Sequence, residues 1–358
     1  MINEKIIDTH LHLMAWDNSE YNFIDCFEGY REQSGIKALN ICALPALERA
    51  VTNNIAIALY KLAHPNTYAH ACFDNIIWPI TEAMPEGMDL VTQYHELMDI
   101  GFDGIKMIEG KPIHLKRIGN NLNHPALERV YSEMERDGVH IVFHINDPDT
   151  FWDITKSDPE HIKSGWFYGD GTHLTHEQIY EQAEALFEAH PRLNVTLAHF
   201  FFCGNKPQKL IGLLDKYPNM AVDLTPGCEM YHSFEANRPF FKDMFIKYSD
   251  RIMLGTDGTF PSETKCHAWC IDVLYRFIAT GDAMMAFDDE ILTGLKIDGE
   301  AKENILYKNF ERRVGSEPKP INKSALKAYI SKYRALISDE EWSHLEPISI
   351  NILLTEQN

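Results

Sequence analysis

At 358 residues, 45% hydrophobic and 24% charged, the chain has the balance of an ordinary folded protein and the length for one large α/β barrel with a short extension, which excludes a disordered or fibrous molecule. A formal net charge of −20 without a basic cluster removes the attraction on which sequence-independent nucleic-acid binding depends. No uncharged stretch approaches the roughly 18 apolar residues of a membrane span, and the opening MINEKIIDTH has neither a basic region nor a small-residue cleavage site, so no membrane partner and a cytoplasmic location are expected.

Short apolar runs alternate with longer segments of helical period, the pattern of parallel strands joined by crossover helices. The first run, KIIDTHLH (5–12), carries Asp8, His10 and His12 on alternate positions. GIKALNICAL (35–44) and TYAHACF (67–73) follow, separated by the helical segment ALERAVTNNIAIALYKLA. DGIKMIE (103–109) contains Lys106, and HPALERVYSEMERDG leads from it into VHIVFHI (139–145), which ends near His144. The next connection, 146–175, is long for a compact fold and reads as a lid over a site, with Trp152 and Trp166 as wall residues. HEQIYEQAEALFEAHP then precedes NVTLAHF (194–200), with His199, and MAVDLT (220–225) and RIMLGTD (251–257), closed by Asp257, complete the set. Eight such units predict a (β/α)₈ TIM barrel over residues 1–315, and SALKAYISKYRALI with DEEWSHLEPISINILL predicts a C-terminal helical extension over 316–358 that packs on the barrel or meets a second subunit as a homodimer.

The seven cysteines are odd in number and scattered, which suits a reducing compartment. Cys266, His267 and Cys270 fall in a run of helical period with no second ligand pair nearby, so they read as part of a helix rather than a zinc clip.

Residues two apart on a barrel strand face the same side, so Asp8, His10 and His12 can all point inward, where Val, Ile and Leu normally fill the space. Burying such groups without partners costs several kcal/mol, and a divalent metal held by imidazole nitrogens would satisfy them. His144, His199 and Asp257 also close strands, and strand C-terminal ends form the active-site face of a barrel. Asp8 is expected beside the histidines as the acceptor that orients one of them.

Taken together, IDTHLH, GIKMI, VFHINDP, LAHFF, KYPNMAVDLTPG, RIMLGTDG and ENILYKNFERRVG resemble the amidohydrolase superfamily, and within it the amidohydrolase-2-like branch that includes aminocarboxymuconate-semialdehyde decarboxylase-like enzymes. The resemblance implies a metal-dependent barrel in which His10, His12, His144 and Asp257 are metal ligands and His199 is catalytic beside the metal. In other branches a strand-four lysine is carboxylated and bridges two metals; Lys106 and His199 would then join the ligand set. One divalent ion is favoured here, zinc ahead of manganese for so nitrogen-rich a donor set.

The leading expectation is a hydrolase that attacks an amide, ester or lactone bond of a small acidic or aromatic molecule through a metal-activated water, with Asp257 as proton acceptor and His199 beside the oxyanion. The alternative is a nonoxidative decarboxylase of an aromatic or muconate-like acid, and a third class is a barrel that only binds. Lys106, Trp152, Trp166, Phe201 and Arg238 are the expected substrate contacts, with Arg49, Lys111 and Arg117 as further cations for an acidic group.

Overall fold

The computed structural model describes residues 4–14, 22–36, 38–45, 50–75, 87–261 and 264–353. Each of the eight expected runs carries a strand: β1 (Ile7–Leu13), β2 (Ala38–Cys42), β3 (Thr67–Ala71), β4 (Gly104–Gly110), β5 (His140–Ile145), β6 (Asn194–Leu197), β7 (Met220–Asp223) and β8 (Ile252–Met253). A ninth, β9 (Gly258–Phe260), pairs with the far side of β1, giving the parallel order β8-β7-β6-β5-β4-β3-β2-β1-β9. β8 and β9 belong to one stretch of chain interrupted at 254–257. Within the interruption, Leu254 O accepts from Thr9 N–H at 3.1 Å, and Asp257 N–H donates to His10 O at 2.9 Å. The two ends of the sheet therefore meet, and the fold is the expected (β/α)₈ TIM barrel.

At the split of the eighth strand the backbone runs close against its neighbours. A Cβ at Gly255 would lie 2.9 Å from both His10 Cβ and Thr225 Cγ2, so only a bare backbone can pass there. Asp257 follows at φ 56°, a left-handed value that turns its side chain out of the strand pattern.

The helices form where the periodicity places them, and their ends follow capping rules. The helix Pro125–Asp137 starts with His124 accepting from Ala126 N–H and stops at left-handed Gly138. The helix His176–Ala189 opens on a capping box between Thr175 and Gln178. Cys266, His267 and Cys270 lie in the helix Thr264–Ala279.

Two further helices, Lys323–Tyr333 and Asp339–Leu353, follow the barrel. The first packs against the helices Leu90–Ile100 and Ala50–Ala63, the second against Ala50–Ala63. Their Leu326, Tyr333 and Leu345 share one apolar cluster with the barrel's helical layer. A buried ion pair fastens the segment that leads to them. Lys61 Nζ donates to Asp103, whose carboxylate also accepts from Ala69 N–H and Lys319 N–H, both at 2.7 Å. Among the described residues no helix is long and apolar enough to cross a membrane.

Inside the barrel, below the strand ends, a polar chain spans four strands. His70 Nδ1–H donates to Asn40 Oδ1 (2.8 Å), His140 Nδ1 meets His70 Nε2 (2.8 Å), and Thr196 Oγ1 meets His140 Nε2 (2.7 Å). Each imidazole is fully partnered, which is how buried histidines of a core are held.

Removing one member of the Lys61–Asp103 pair strands a buried charge, so Asp103→Ala should cost about 3 to 5 kcal/mol of stability. Lys61→Met with Asp103→Leu should recover most of that loss, since an apolar pair of similar volume needs no desolvation. Denaturant melts of the three proteins check this; a single Asp103→Ala loss below about 0.5 kcal/mol, the usual size of a surface change, would refute it.

Candidate metal centre

β1 is buried along its whole length, and the pleat turns Asp8, His10 and His12 to the interior. Both imidazoles are pinned by their Nδ1 atoms. His10 Nδ1–H donates to Asp223 Oδ2 at 2.9 Å, and His12 Nδ1–H donates to the Cys42 carbonyl at 2.7 Å. These bonds put a proton on each Nδ1 and leave both Nε2 atoms facing the barrel axis. Burial, together with the Lys106 ammonium, pushes the His10 imidazole down to about 4, so it is neutral at pH 7.

Asp257 closes the constellation from the eighth strand position. Its Oδ1 lies 3.1 Å from His12 Nε2 and 3.7 Å from His10 Nε2. One donor atom from each of the three residues lies within 4.8 Å of the others. Burial works to raise the Asp257 carboxyl, but His12, His199 and His10 around it outweigh burial and hold it well below the usual range. His12 Nε2 and the ionised Asp257 approach within hydrogen-bond distance, so a cation or a proton belongs between them. A buried ammonium already stands at the edge of this space: Lys106 Nζ is 2.8 Å from His10 Nε2. Two imidazoles and a carboxylate, oriented by outer partners and open on one side, fit a divalent ion.

His199 is set beside this group by an unusual backbone. His199, Phe200, Phe201 and Phe202 have φ of 55°, 53°, 56° and 50°, a left-handed turn of four non-glycine residues that costs about 1–2 kcal/mol each. Tyr180 Oη offsets part of this by donating to the carbonyls of Phe201 (2.9 Å) and Phe202 (3.1 Å), while Phe200 packs edge-on against Phe234. His199 N–H donates to Asp223 Oδ1 at 2.9 Å. Its Nδ1 faces Thr225 Oγ1 (3.2 Å) and Thr225 O (3.3 Å), so Nδ1 carries the proton and Nε2 is an acceptor.

Asp223 thus binds His10 with one oxygen and His199 with the other. Burial alone would raise its carboxyl, yet the His10 and His199 imidazoles and the Thr225 hydroxyl bring it down to about 2.

His144 lies outside the three-residue group. Its ring centre is 4.9 Å from that of His199, but its Nε2 is engaged by Asp147 Oδ1 at 3.0 Å. Asp147 also accepts from Lys111 Nζ (2.8 Å) and Tyr168 Oη (2.8 Å). Asp8 does not orient a histidine ring, contrary to expectation. Its oxygens accept from Tyr30 Oη (2.6 Å), Thr256 Oγ1 (2.7 Å) and Thr256 N–H (3.1 Å), so it ties β1 to the segment that carries Asp257.

A cavity of about 590 Å³ opens above the group, with Asp257, His199, His144 and Lys111 on its wall. Of the expected substrate contacts, Trp166 lines it, with Lys111 Nζ 4.7 Å from its ring centre. Lys106 lies deeper, against His10. Phe201 is fully buried on Tyr180, and Phe202 takes the place expected for it on the cavity wall, because the left-handed turn points successive rings in different directions. Trp152 anchors the long connection through Nε1–H to Leu174 O (2.9 Å), and Arg238 Nη1 donates to Gly294 O (3.1 Å); neither is among the described lining residues, nor is Arg117. Arg49 lies outside the described residues. Asp223, Asp147 and Thr225 were missed in the sequence, although Asp223 is an acid inside the apolar run MAVDLT, the same signal that marked Asp8.

The amidohydrolase family model Amidohydro_2 matches residues 7–312. The chain belongs to this family. It is an enzyme of a metal-dependent superfamily whose members include hydrolases and decarboxylases. No curated protein matches the chain. Among solved structures it is similar to a TIM-barrel protein of Bordetella bronchiseptica, with 17% identity, TM-score 0.52, and coverage of 87% of this chain and 98% of that one. It is also similar to 2,6-dihydroxybenzoate decarboxylase, at 14% identity and TM-score 0.53, covering 87% and 99%. A third is a Pseudomonas putida candidate 2-pyrone-4,6-dicarboxylic acid hydrolase, at 12% identity and TM-score 0.50, covering 88% and 98%. At these identities the likeness establishes the shared fold.

Because Asp223 fixes the His10 tautomer, Asp223→Ala should weaken zinc binding by roughly 10- to 100-fold. Competition against a chromophoric chelator measures it; wild-type affinity in a folded variant would remove Asp223 from this role.

Proposed function

We propose that this amidohydrolase is a metal-dependent hydrolase that cleaves an amide, ester or lactone bond of a small acidic or aromatic molecule. The observation that carries the reading is the convergence of one ligand atom each from His10, His12 and Asp257 within 4.8 Å of one another, beside an open cavity. His10, His12 and Asp257 would hold one divalent ion, zinc before manganese, and His144 would join them on leaving Asp147. A binuclear form would add His199 and a carboxylated Lys106, but the Lys106 ammonium against His10 favours a single ion. Bound there, the ion would lower the pKa of water from roughly 15.7 to about 7.

The chain's own groups do the rest. Asp257, held ionised, accepts a proton from the attacking water and returns it to the leaving group. His199 offers Nε2 as an acceptor toward the same space, so it steers a proton and contacts an oxyanion only as its imidazolium. Lys111, seated on Trp166, supplies a cation beside an aromatic face, which suits a substrate with both an acidic group and a flat apolar part. Phe202 stacks on His199 with ring centres 5.1 Å apart and shields it from water on that side.

The second reading is a nonoxidative decarboxylase of an aromatic or muconate-like acid. Lys111 next to an aromatic wall favours it, since a carboxylate and a ring are what such a substrate presents. In that reaction Asp257 or His199 would deliver the proton to carbon.

Elemental analysis of metal-loaded protein, followed by a screen of lactones, amides and carboxylated aromatics in ¹⁸O-labelled water, separates the two. Label in the organic product supports hydrolysis, and release of carbon dioxide with an unlabelled organic product supports the lyase. Asp257→Asn should lower kcat by about 10²- to 10⁴-fold, the usual contribution of a positioned acid–base group. Turnover within a few-fold of wild type would end the proton-transfer role.

A further inference from the structure

At the opposite end of the barrel, where β5 to β8 begin, a second cavity of about 640 Å³ is lined by Arg192, Arg251, Arg312 and Arg313 against only Asp250 and Glu300. Such an excess of positive charge stands out in a chain with 53 acidic and 33 basic residues. Asp250 is committed to Arg251, with Oδ2 3.2 Å from Nε, and Glu135 Oε2 lies 3.7 Å from Arg192 Nη2. Neither Arg312 nor Arg313 has a carboxylate oxygen within 4.0 Å among the described residues.

Both guanidiniums are held by neutral acceptors. Arg313 Nη1 donates to Asn194 Oδ1 (2.9 Å) and Asn219 O (2.7 Å), and Nη2 donates to Met220 O (3.4 Å). Arg312 donates to Asn304 Oδ1 at 3.1 Å through both terminal nitrogens and to Asn309 Oδ1. Amides and carbonyls fix the geometry but leave the charge uncompensated. A guanidinium has five N–H donors, so Arg313 keeps Nε–H and one Nη2–H for another acceptor. Burial, reinforced by Arg251 and Arg312 and opposed by Asp250, pulls the Arg313 guanidinium down to about 10.

The helix that presents these residues is also irregular. A π-helical turn, Asn304–Lys308, is inserted just before Asn309–Val314, and Asn304 in that turn accepts from Arg312. Single π turns recur at functional positions, where they shift side chains out of the α-helical register.

We infer that this floor cavity is a binding site for a small oxyanion of two or more negative charges, a phosphate monoester or a polycarboxylate, gripped by Arg312 and Arg313. Guanidinium forks match planar carboxylates and tetrahedral phosphates alike, so the chemistry names the charge and the oxygens rather than one compound. The anion would tie the starts of β6 and β7 to the last helix of the barrel, far from the candidate metal centre.

Inorganic phosphate and citrate are the probes, titrated calorimetrically into the full chain and followed by thermal shift, with potassium chloride at matched ionic strength as control. Wild type should bind at least one of them beyond the chloride response. Arg192→Gln with Arg312→Gln should weaken that binding at least tenfold, and Asp257→Asn should leave it unchanged. Arg313→Gln is the less informative variant because Arg313 also fastens two strand starts. Absence of binding by both anions, wild-type affinity in the double variant, or loss of binding in Asp257→Asn would each overturn the inference.

Discussion

The two oxygens of Asp223 are the constraint on which the site depends. One takes the Nδ1–H of His10 from β1, and the other takes the backbone N–H of His199 from the end of β6. A single carboxylate at the end of β7 therefore sets the ring of one candidate ligand and the position of the candidate catalytic histidine together. Without that acceptor His10 would be free to present either nitrogen to the barrel axis, and the left-handed turn at His199–Phe202 would lose the bond at its first residue.

Charge balance in the interior follows from the same arrangement. Asp223 and Glu109 are buried, and Lys106 at 2% exposure is the cation that acts on both. Burial lowers the Lys106 ammonium and raises the Glu109 carboxyl, so each works against its own charged state while the opposite charges nearby work for it. A divalent cation at the open edge of His10, His12 and Asp257 would add positive charge where the ligand atoms of the three residues converge.

Strain and access are settled by loops rather than strands. The four left-handed residues after β6 and left-handed Asp257 stand at the mouth of the barrel, each fixed by packing or hydrogen bonds from elements far away in sequence. The long connection after β5 is fastened at its base by Tyr168 to Asp147 and by Trp152 to Leu174, which leaves Trp166 and Lys111 facing the cavity. Fold and chemistry are thus divided: the closed sheet supplies the ring of strand ends, and the turns that follow decide what each end presents.

Local pattern made most of this legible before any contact was known. The alternation of apolar runs and helical segments fixed the positions of eight strands, because a strand's two-residue period and a helix's 3.6-residue period are properties of neighbouring residues. The same period marked His10 and His12, polar groups where a barrel interior should be apolar, and the end of the last strand marked Asp257. Contacts between strands were not legible, since they depend on closure and register across more than two hundred residues. Only the folded chain decided that Asp223 rather than Asp8 orients His10, that Asp8 instead holds Thr256, and that His144 turns to Asp147. Phe202 replaces Phe201 at the cavity for a related reason: a left-handed turn of non-glycine residues has no signature in sequence, being imposed by Tyr180 and Asp223 from outside it.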